Sequence, residues 1–302
     1  MDLRTIWQHD LAYSFRRSPV TIAAAALALL CVGSALLAPW IAPYNPFDAA
    51  SLDLNAALAP PAWVDSGVAA HPLGTDDQGR DMLSTIIYGT RISLAVGVAA
   101  VLFSVAVGVA VGLLSGYAGG RVDAFLMRVA DVQLSFPPIL VALLINGVAR
   151  MALPNSAQEE IAIPVLVLAL GVSGWVQYAR TVRGSTLVEK SREYVQAARV
   201  IGRHPLAIML RHVLPNVLGP VLVIATIHIA TAIITEATLS FLGVGVPPTT
   251  PSLGTLISRG NEFLISGVWW IVIFPGAALV TLVLSVNLLG DWLRDALNPK
   301  LR

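Results

Sequence analysis

The sequence predicts an all-α polytopic membrane protein with six transmembrane helices. Composition points there first: 56% of the 302 residues are hydrophobic and only 12% are charged, about half the charged share of a soluble domain. Their distribution is the second observation. Six apolar stretches of roughly 20 residues, the length that spans a bilayer core as a helix, centre on residues 20–37, 92–115, 132–149, 161–179, 217–235 and 269–289, and none contains Asp, Glu, Lys or Arg. Backbone in lipid has to satisfy its own hydrogen bonds, and these stretches lack strand alternation, so helices are the expected form.

Residues 1–57 read as an N-terminal cytoplasmic segment and the first span. That span exceeds the roughly 7–15 apolar residues of a signal peptide and is read as a retained anchor. It holds Cys31, the one cysteine, so neither an intrachain disulfide nor a cysteine metal cluster is expected. Residues 58–90 read as an external loop with a short helix. Pro39, Pro43, Pro46, Pro60, Pro61 and Pro72 oppose long regular helix from 39 onward. Thr75-Asp76-Asp77-Gln78 has capping-box spacing with Thr75 as N-cap, predicting a short helix over 81–88. Asp76, Asp77 and Asp81 lack the ligand spacing of a calcium loop and read as capping and dipole compensation.

Residues 92–290 read as a core of five further spans, interrupted by a polar loop at 182–216 and followed by a cytoplasmic tail, 291–302. Gly108, Gly112, Gly116 and Gly120 recur every four residues, a pattern for close helix approach in membranes. Phe136-Pro137-Pro138 and Pro275-Gly276 predict kinks, with gating pivots as the alternative reading.

Charge sets the orientation, because short loops rich in Lys and Arg stay on the cytoplasmic side. Arg4, Arg16 and Arg17 precede the first span. Arg121 and Arg128 follow the second. Arg180, Arg183, Lys190, Arg192, Arg199, Arg203 and Arg211 lie in or beside the polar loop, and Arg294, Lys300 and Arg302 follow the sixth. Only Arg80, Arg91, Arg150 and Arg259 fall on the other side. Both termini are therefore expected in the cytoplasm. The net charge of +1 carries no indication of nucleic acid.

In the polar loop, Arg192, Gln196, Arg199 and Arg203 share one helical stripe, and Tyr194, Ala197, Ala198 and Ile201 lie toward the other side. Gly202 suits a left-handed helix stop. Pro205 suits the first turn of a second helix, which offers Leu206, Met209, Leu210 and Val213 before Pro215. Two short helices joined at a glycine are expected to lie on the membrane surface. Periodicity alone leaves open an ordinary interfacial loop held to anionic lipid by arginine. A DNA-binding helix pair is disfavoured, since the flanking spans hold it close to the membrane.

The loop's Gln196-Ala197-Ala198-x3-Gly202-x11-Leu214-Pro215 resembles the EAA loop of bacterial ABC importer permeases, in particular the second, C-type permease of the dipeptide/oligopeptide/nickel family. Further phrases carry the resemblance along nearly the whole chain. They include Ala42-Pro43-Tyr44-Asn45-Pro46, the run from His71 to Asp81, Arg91-Ile92-Ser93-Leu94, Arg211-His212-Val213-Leu214-Pro215-Asn216 and Leu239-Ser240-Phe241-Leu242-Gly243, with Gly290-Asp291-x-Leu293-Arg294-Asp295 closing the sixth span. Three positions depart from the pattern: Gln196 in place of Glu, His212 in place of an apolar residue and Asn298-Pro299 in place of Asp-Pro.

The resemblance implies type I ABC importer permease architecture with a cytoplasmic coupling helix. Glu193, Tyr194, Gln196, Ala197, Ala198, Arg199, Gly202, Arg203, Leu214 and Pro215 are then the ATPase-coupling loop. It implies as partners a homologous second permease, two cytoplasmic ATPase subunits and an external solute-binding protein, with membrane lipid around them. Short peptides are the implied cargo; nickel, glutathione or another small solute are alternatives, and a proton-coupled secondary transporter is the rival class. ATP and Mg would be bound by partner subunits. The two lysines, Lys190 and Lys300, follow no glycine, so this chain holds no Gly-x4-Gly-Lys phosphate loop. Neither Gly-x-Ser-x-Gly nor His-Glu-x-x-His occurs, and the chain reads as a transport subunit rather than an enzyme.

Glu236 and His228 lie eight residues apart in the fifth span. Ionisable groups at a membrane helix centre cost about 2.5–3.5 kcal/mol and face a cavity or a partner. Glu236 fits a gate or helix-packing contact, a wall of the substrate path, or a proton relay. His228 reads as a packed, hydrogen-bonded residue rather than a metal ligand.

Overall fold

The computed structural model describes residues 10–48, 52–152 and 154–297. Arg4, Lys300 and Arg302, cited above for orientation, lie outside them, as does Asn298-Pro299. The described residues form helices α1 (Asp10–Arg17), α2 (Pro19–Leu36), α3 (Met82–Ala118), α4 (Gly120–Leu134), α5 (Pro138–Ala152) and α6 (Asn155–Glu189). After them come α7 (Glu193–Val200), α8 (Pro205–Phe241), α9 (Leu253–Phe263) and α10 (Trp270–Leu297).

Among the described residues, five helices are long and apolar enough to cross a membrane, and a sixth span exists if the bent pair α4–α5 counts as one. The third expected span, 132–149, is thus not one straight helix. Its axis turns by 91° between Leu134 and Pro138. Pro137 and Pro138 remove two amide donors in succession and bias the residue before each away from helix. The corner is a break between two helices rather than a kink within one.

The short helix expected over 81–88 is also corrected. Helix α3 begins at Met82 and runs on through the second span. Its N-cap is Asp81, whose Oδ2 accepts from the Ser84 amide at 2.8 Å and the Ser84 hydroxyl at 2.7 Å. Thr75 caps nothing. Its hydroxyl accepts from the Ala59 amide at 2.8 Å, tying two passes of the segment between α2 and α3 together. Asp76 closes a tight turn by accepting from the Gln78 and Arg80 amides, each at 2.9 Å, and it pairs with the Arg80 guanidinium at 2.6 Å. A Thr-x-x-Gln spacing is compatible with either geometry.

The centre of the bundle is the pair α3 and α6, which run in the same direction because α4 and α5 carry the chain back between them. Gly108 faces Tyr178 and Trp175, Gly112 faces Ala179 and Val182, and Gly116 faces Arg183 and Thr186. Added Cβ atoms at these three glycines would stand 2.4–2.9 Å from those neighbours, so the missing side chains set the spacing. Gly120 does not continue the stripe: it lies past the end of α3 at φ +54° with nothing within 4 Å of an added Cβ. Helix α8 runs the other way across this pair, placing Ile233 against Gly97 and His228 against Gly174. Helix α2 sits at the side, burying Ala24, Ala28, Cys31 and Ala35 while Leu29 and Leu30 face outward.

Candidate functional site

Two places gather the residues singled out by the sequence. The first is the α6–α7–α8 connection. Helix α7 spans Glu193–Val200 and ends at Gly202 with φ +77°. The Arg203 amide donates to Ala198 O at 3.1 Å and the Gly202 amide to Arg199 O at 3.0 Å. Those two bonds satisfy carbonyls orphaned by the helix end, the geometry of a Schellman stop. His204 then caps α8, its ring nitrogen accepting from the Leu206 amide at 3.3 Å, with Pro205 in the first turn.

The second helix of the loop is not a separate surface helix. It widens into a π turn over Met209–Val213 and continues into the fifth span as one helix, Pro205–Phe241. Pro215 reads as a stop because its ring crowds the carbonyl four residues back and it donates nothing. The π turn absorbs that defect: the Leu214 amide reaches back to Met209 O. The Asn216 side-chain amide donates to His212 O at 2.7 Å.

Burial also corrects the expected faces of α7. Val195 and Ala198 are the buried pair, packed with Ile208, Val213, Val217 and Val182. Tyr194, Ala197 and Ile201 are exposed. Val200 at 88% and Ile201 at 76% exposure, with Leu206 beside them, form an apolar tip at the Gly202 turn. Glu193, Gln196, Arg199 and Arg203 are exposed around it. Leu214 is partly buried and Pro215 exposed, both inside α8 and away from the tip.

Polar contacts pin this short helix to three long ones. Tyr194 Oη donates to Glu189 at the end of α6 and to His212 O at 3.4 Å, and it accepts from Asn216 Nδ2 at 3.1 Å in α8. Burial and the Glu189 carboxylate raise the Tyr194 pKa, keeping the phenol protonated. Gln196 Nε2 donates to Lys190 O at 2.9 Å, and Lys190 Nζ to Gly116 O at 2.7 Å near the end of α3. The Arg199 guanidinium lies 5.0 Å over the Tyr117 ring, a cation–π contact. Beside them Arg183 grips both oxygens of Asp123, at 2.5 and 2.6 Å.

The second place surrounds Glu236, at the opposite end of α8. Glu236 is fully buried, and its Oε1 accepts from Ser240 Oγ at 2.7 Å. Ser93 of α3 and Ser252, the N-cap of α9, lie near the same carboxyl, while Oε2 has no partner in hydrogen-bond geometry. Ser93 Oγ also accepts the Leu253 amide at 3.3 Å. The sequence picked out Glu236; Ser240 follows one turn on in the same helix, whereas Ser93 and Ser252 come from other elements and were not foreseen. His228 is not part of this cluster. It sits farther along α8, hydrogen-bonded to Tyr178. Among the described residues no group of three or more His, Cys, Asp or Glu side chains is placed to hold a metal.

Residues 108–302 match the family model described as a binding-protein-dependent transport system inner membrane component. Residues 5–61 match that of the N-terminal transmembrane domain of oligopeptide transport permease C. The chain is 41% identical over 300 residues to the dipeptide transport system permease protein DppC of Escherichia coli K12, covering 99% of this chain and 94% of that protein. It is 37% identical over 300 residues to the di/tripeptide transport system permease protein DppC of Pseudomonas aeruginosa, covering 99% and 93%. It is 37% identical over 303 residues to the glutathione transport system permease protein GsiD of Escherichia coli O6:K15:H31, covering 99% and 92%. Among solved structures, the inward-facing MetNI methionine ABC transporter superposes with a TM-score of 0.56 at 21% identity, over 72% of this chain and 98% of that one. That likeness carries the fold.

Proposed function

The chain belongs to the family of binding-protein-dependent transport system inner membrane components, and on that footing we propose that it forms half of a translocation path for short peptides. It is a permease subunit of an ABC importer in the inner membrane. The cargoes named for its relatives, dipeptides, di/tripeptides and glutathione, are all peptides of a few residues, which supports the same class here. A homologous second permease supplies the other half of the path. Two ATPase subunits perform the hydrolysis, so this chain is a transport subunit and not an enzyme, and an external binding protein delivers the cargo. The Gly202 end and both termini lie in the cytoplasm, as the charge distribution favours.

One observation carries the coupling assignment: α7 presents an exposed apolar tip, Val200 and Ile201, and side chains of α7 contact the ends of α3, α6 and α8. An ATPase surface that seats the tip moves three long helices together. Such closure produces a rigid-body change of the spans. Glu236 acts at the far end of α8 as a packing contact of the outer gate, joining α8 to α3 and α9.

Crosslinking tests the coupling role in the assembled importer with Cys31 replaced by alanine. Val200→Cys and Ile201→Cys are expected to crosslink to an ATPase subunit, while Val195→Cys, buried in the bundle, is not. Recovery of lipid adducts alone from an importing complex would sink the assignment.

A further inference from the structure

A cavity of about 430 Å³ opens between α3, α6 and α8, beside the corner where α4 turns into α5. Its wall carries Ser173 and Gln177 of α6, one turn apart, and His228, Thr231 and Thr235 of α8. No Asp, Glu, Lys or Arg lines it. These residues lie within predominantly apolar stretches. Leu222 of α8, outside the cavity, is an exposed alkyl side chain.

His228 is held in one orientation. Tyr178 is fully buried, and its hydroxyl lies 2.9 Å from His228 Nδ1. A buried phenol finds a hydrogen-bond partner, and this nitrogen is the one the structure supplies. The phenol donates, Nδ1 accepts, and the neutral ring therefore carries its proton on Nε2. The ring has its seat because residue 174 is glycine: a Cβ there would stand 2.2 Å from His228 Cε1. Neither His228 Nε2 nor the Gln177 side-chain amide forms a hydrogen bond among the described residues. Stranding such groups in hydrocarbon costs several kcal/mol each. They have a use where a polar solute passes.

We propose that this cavity is a subsite for the main chain of the passing peptide, with His228 Nε2–H donating to a peptide carbonyl oxygen. The Gln177 amide and the Ser173 and Thr231 hydroxyls exchange hydrogen bonds with the neighbouring peptide groups. A neutral wall reads the backbone common to every short peptide and holds no charged side chain by ion pairing. Conduction needs binding of that kind, favourable enough to enter and weak enough to leave. The proposal rests on the peptide reading above.

The test uses the assembled importer in vesicles, with Cys31→Ala and single cysteines at Gln177, Thr231 or Leu222. The probe is trialanine whose central side chain carries a bromoacetamide, leaving both termini free. During ATP-driven import the cysteines at 177 and 231 are expected to be alkylated at least ~10-fold faster than that at 222, with excess unmodified trialanine suppressing the difference. In parallel, His228→Phe is expected to slow trialanine import ~10-fold at equal membrane abundance, and His228→Gln, which keeps a donor, to recover most of it. Equal alkylation at all three sites in an importing complex overturns the subsite. A parent complex that imports no trialanine overturns the peptide reading itself, and the subsite with it.

Discussion

Asn216 Nδ2 donates to Tyr194 Oη at 3.1 Å and to His212 O at 2.7 Å. One side-chain amide therefore ties the short helix α7 to the first turns of the long helix α8 and also serves a carbonyl loosened by the π turn. Asn216→Ala removes the shorter of the two links from Tyr194 to α8 and leaves His212 O with only the 3.4 Å contact from Tyr194 Oη. Import by the assembled complex is expected to fall while insertion is retained, and Tyr194→Phe to fall similarly. Each lost bond contributes about 0.5–1.5 kcal/mol. Unchanged import in both variants would separate the link from coupling.

Gly202 stands at φ +77°, and a Cβ added there would meet nothing within 4 Å. The constraint is the backbone, not space. A non-glycine residue in this region costs about 1–2 kcal/mol, least for Asn. Gly202→Asn is expected to keep most import, Gly202→Val to lose it, and Gly202→Asp to lose it through added charge at the apolar tip. All three are expected at normal membrane abundance. Uptake measured beside abundance decides; normal uptake by Gly202→Val would count against the stop.

The glycine face of α3 predicts a contrast. A Cβ at Gly112 would stand 2.6 Å from Ala179 O and 2.8 Å from Val182 Cβ. Gly112→Ala is expected to push α3 off α6 and destabilise by about 1–3 kcal/mol. Gly184, inside α6, has nothing within 4 Å, so Gly184→Ala is expected to stabilise by about 0.4–1 kcal/mol. Thermal unfolding of the detergent-solubilised complex measures both.

Glu236 predicts a local effect. Glu236→Leu removes the acceptor for Ser240 Oγ and is expected to speed amide exchange over the first turn of α9 by ~10-fold, while Glu236→Gln stays within ~3-fold. Identical protection in both variants would show that α9 is held by packing alone.

Acid probes the clip between α4 and α6. The hydrogen bond from Arg183, then that from Ser115, holds the Asp123 carboxyl down to about 2, from an ordinary value of 3.8. The folded value lies below the unfolded one, so this contribution is complete above pH 3.8 and is lost as pH falls toward 2. The pair is partly exposed, which limits it to about 1 kcal/mol or less. Asp123→Asn is expected to lower the melting temperature at neutral pH and to flatten its fall across that acid window.

The spans were legible because a charge-free apolar run of that length has one stable form in lipid. The stop at Gly202 and the restart at Pro205 were legible because both follow from backbone chemistry at single residues. Four things were not. The pattern Thr75 to Gln78 fits both a capping box and the turn closed by Asp76, and only the packing against Ala59 selects between them. Pro215 signals an end that the π turn overrides. The buried face of α7 is Val195 with Ala198 because α6 and α8 lie on that side; eight residues are too few for periodicity to fix a face. Of the serines around Glu236, Ser240 lies one turn away in the same helix, but Ser93 and Ser252 come from distant positions that no local pattern joins to it.

Helix α8 is continuous from Pro205 to Phe241, 37 residues, or about 55 Å at the rise of an α-helix. One rod therefore joins the tip at Gly202 to the carboxyl of Glu236. Pivoted at one end, a tilt of about 5° displaces the other by about 5 Å, roughly one helical pitch. Mechanical advantage of that size needs no relay of side chains through the bilayer. On the coupling role proposed above, the widened turn at Met209–Val213 is the point in that helix where a stroke would be taken up.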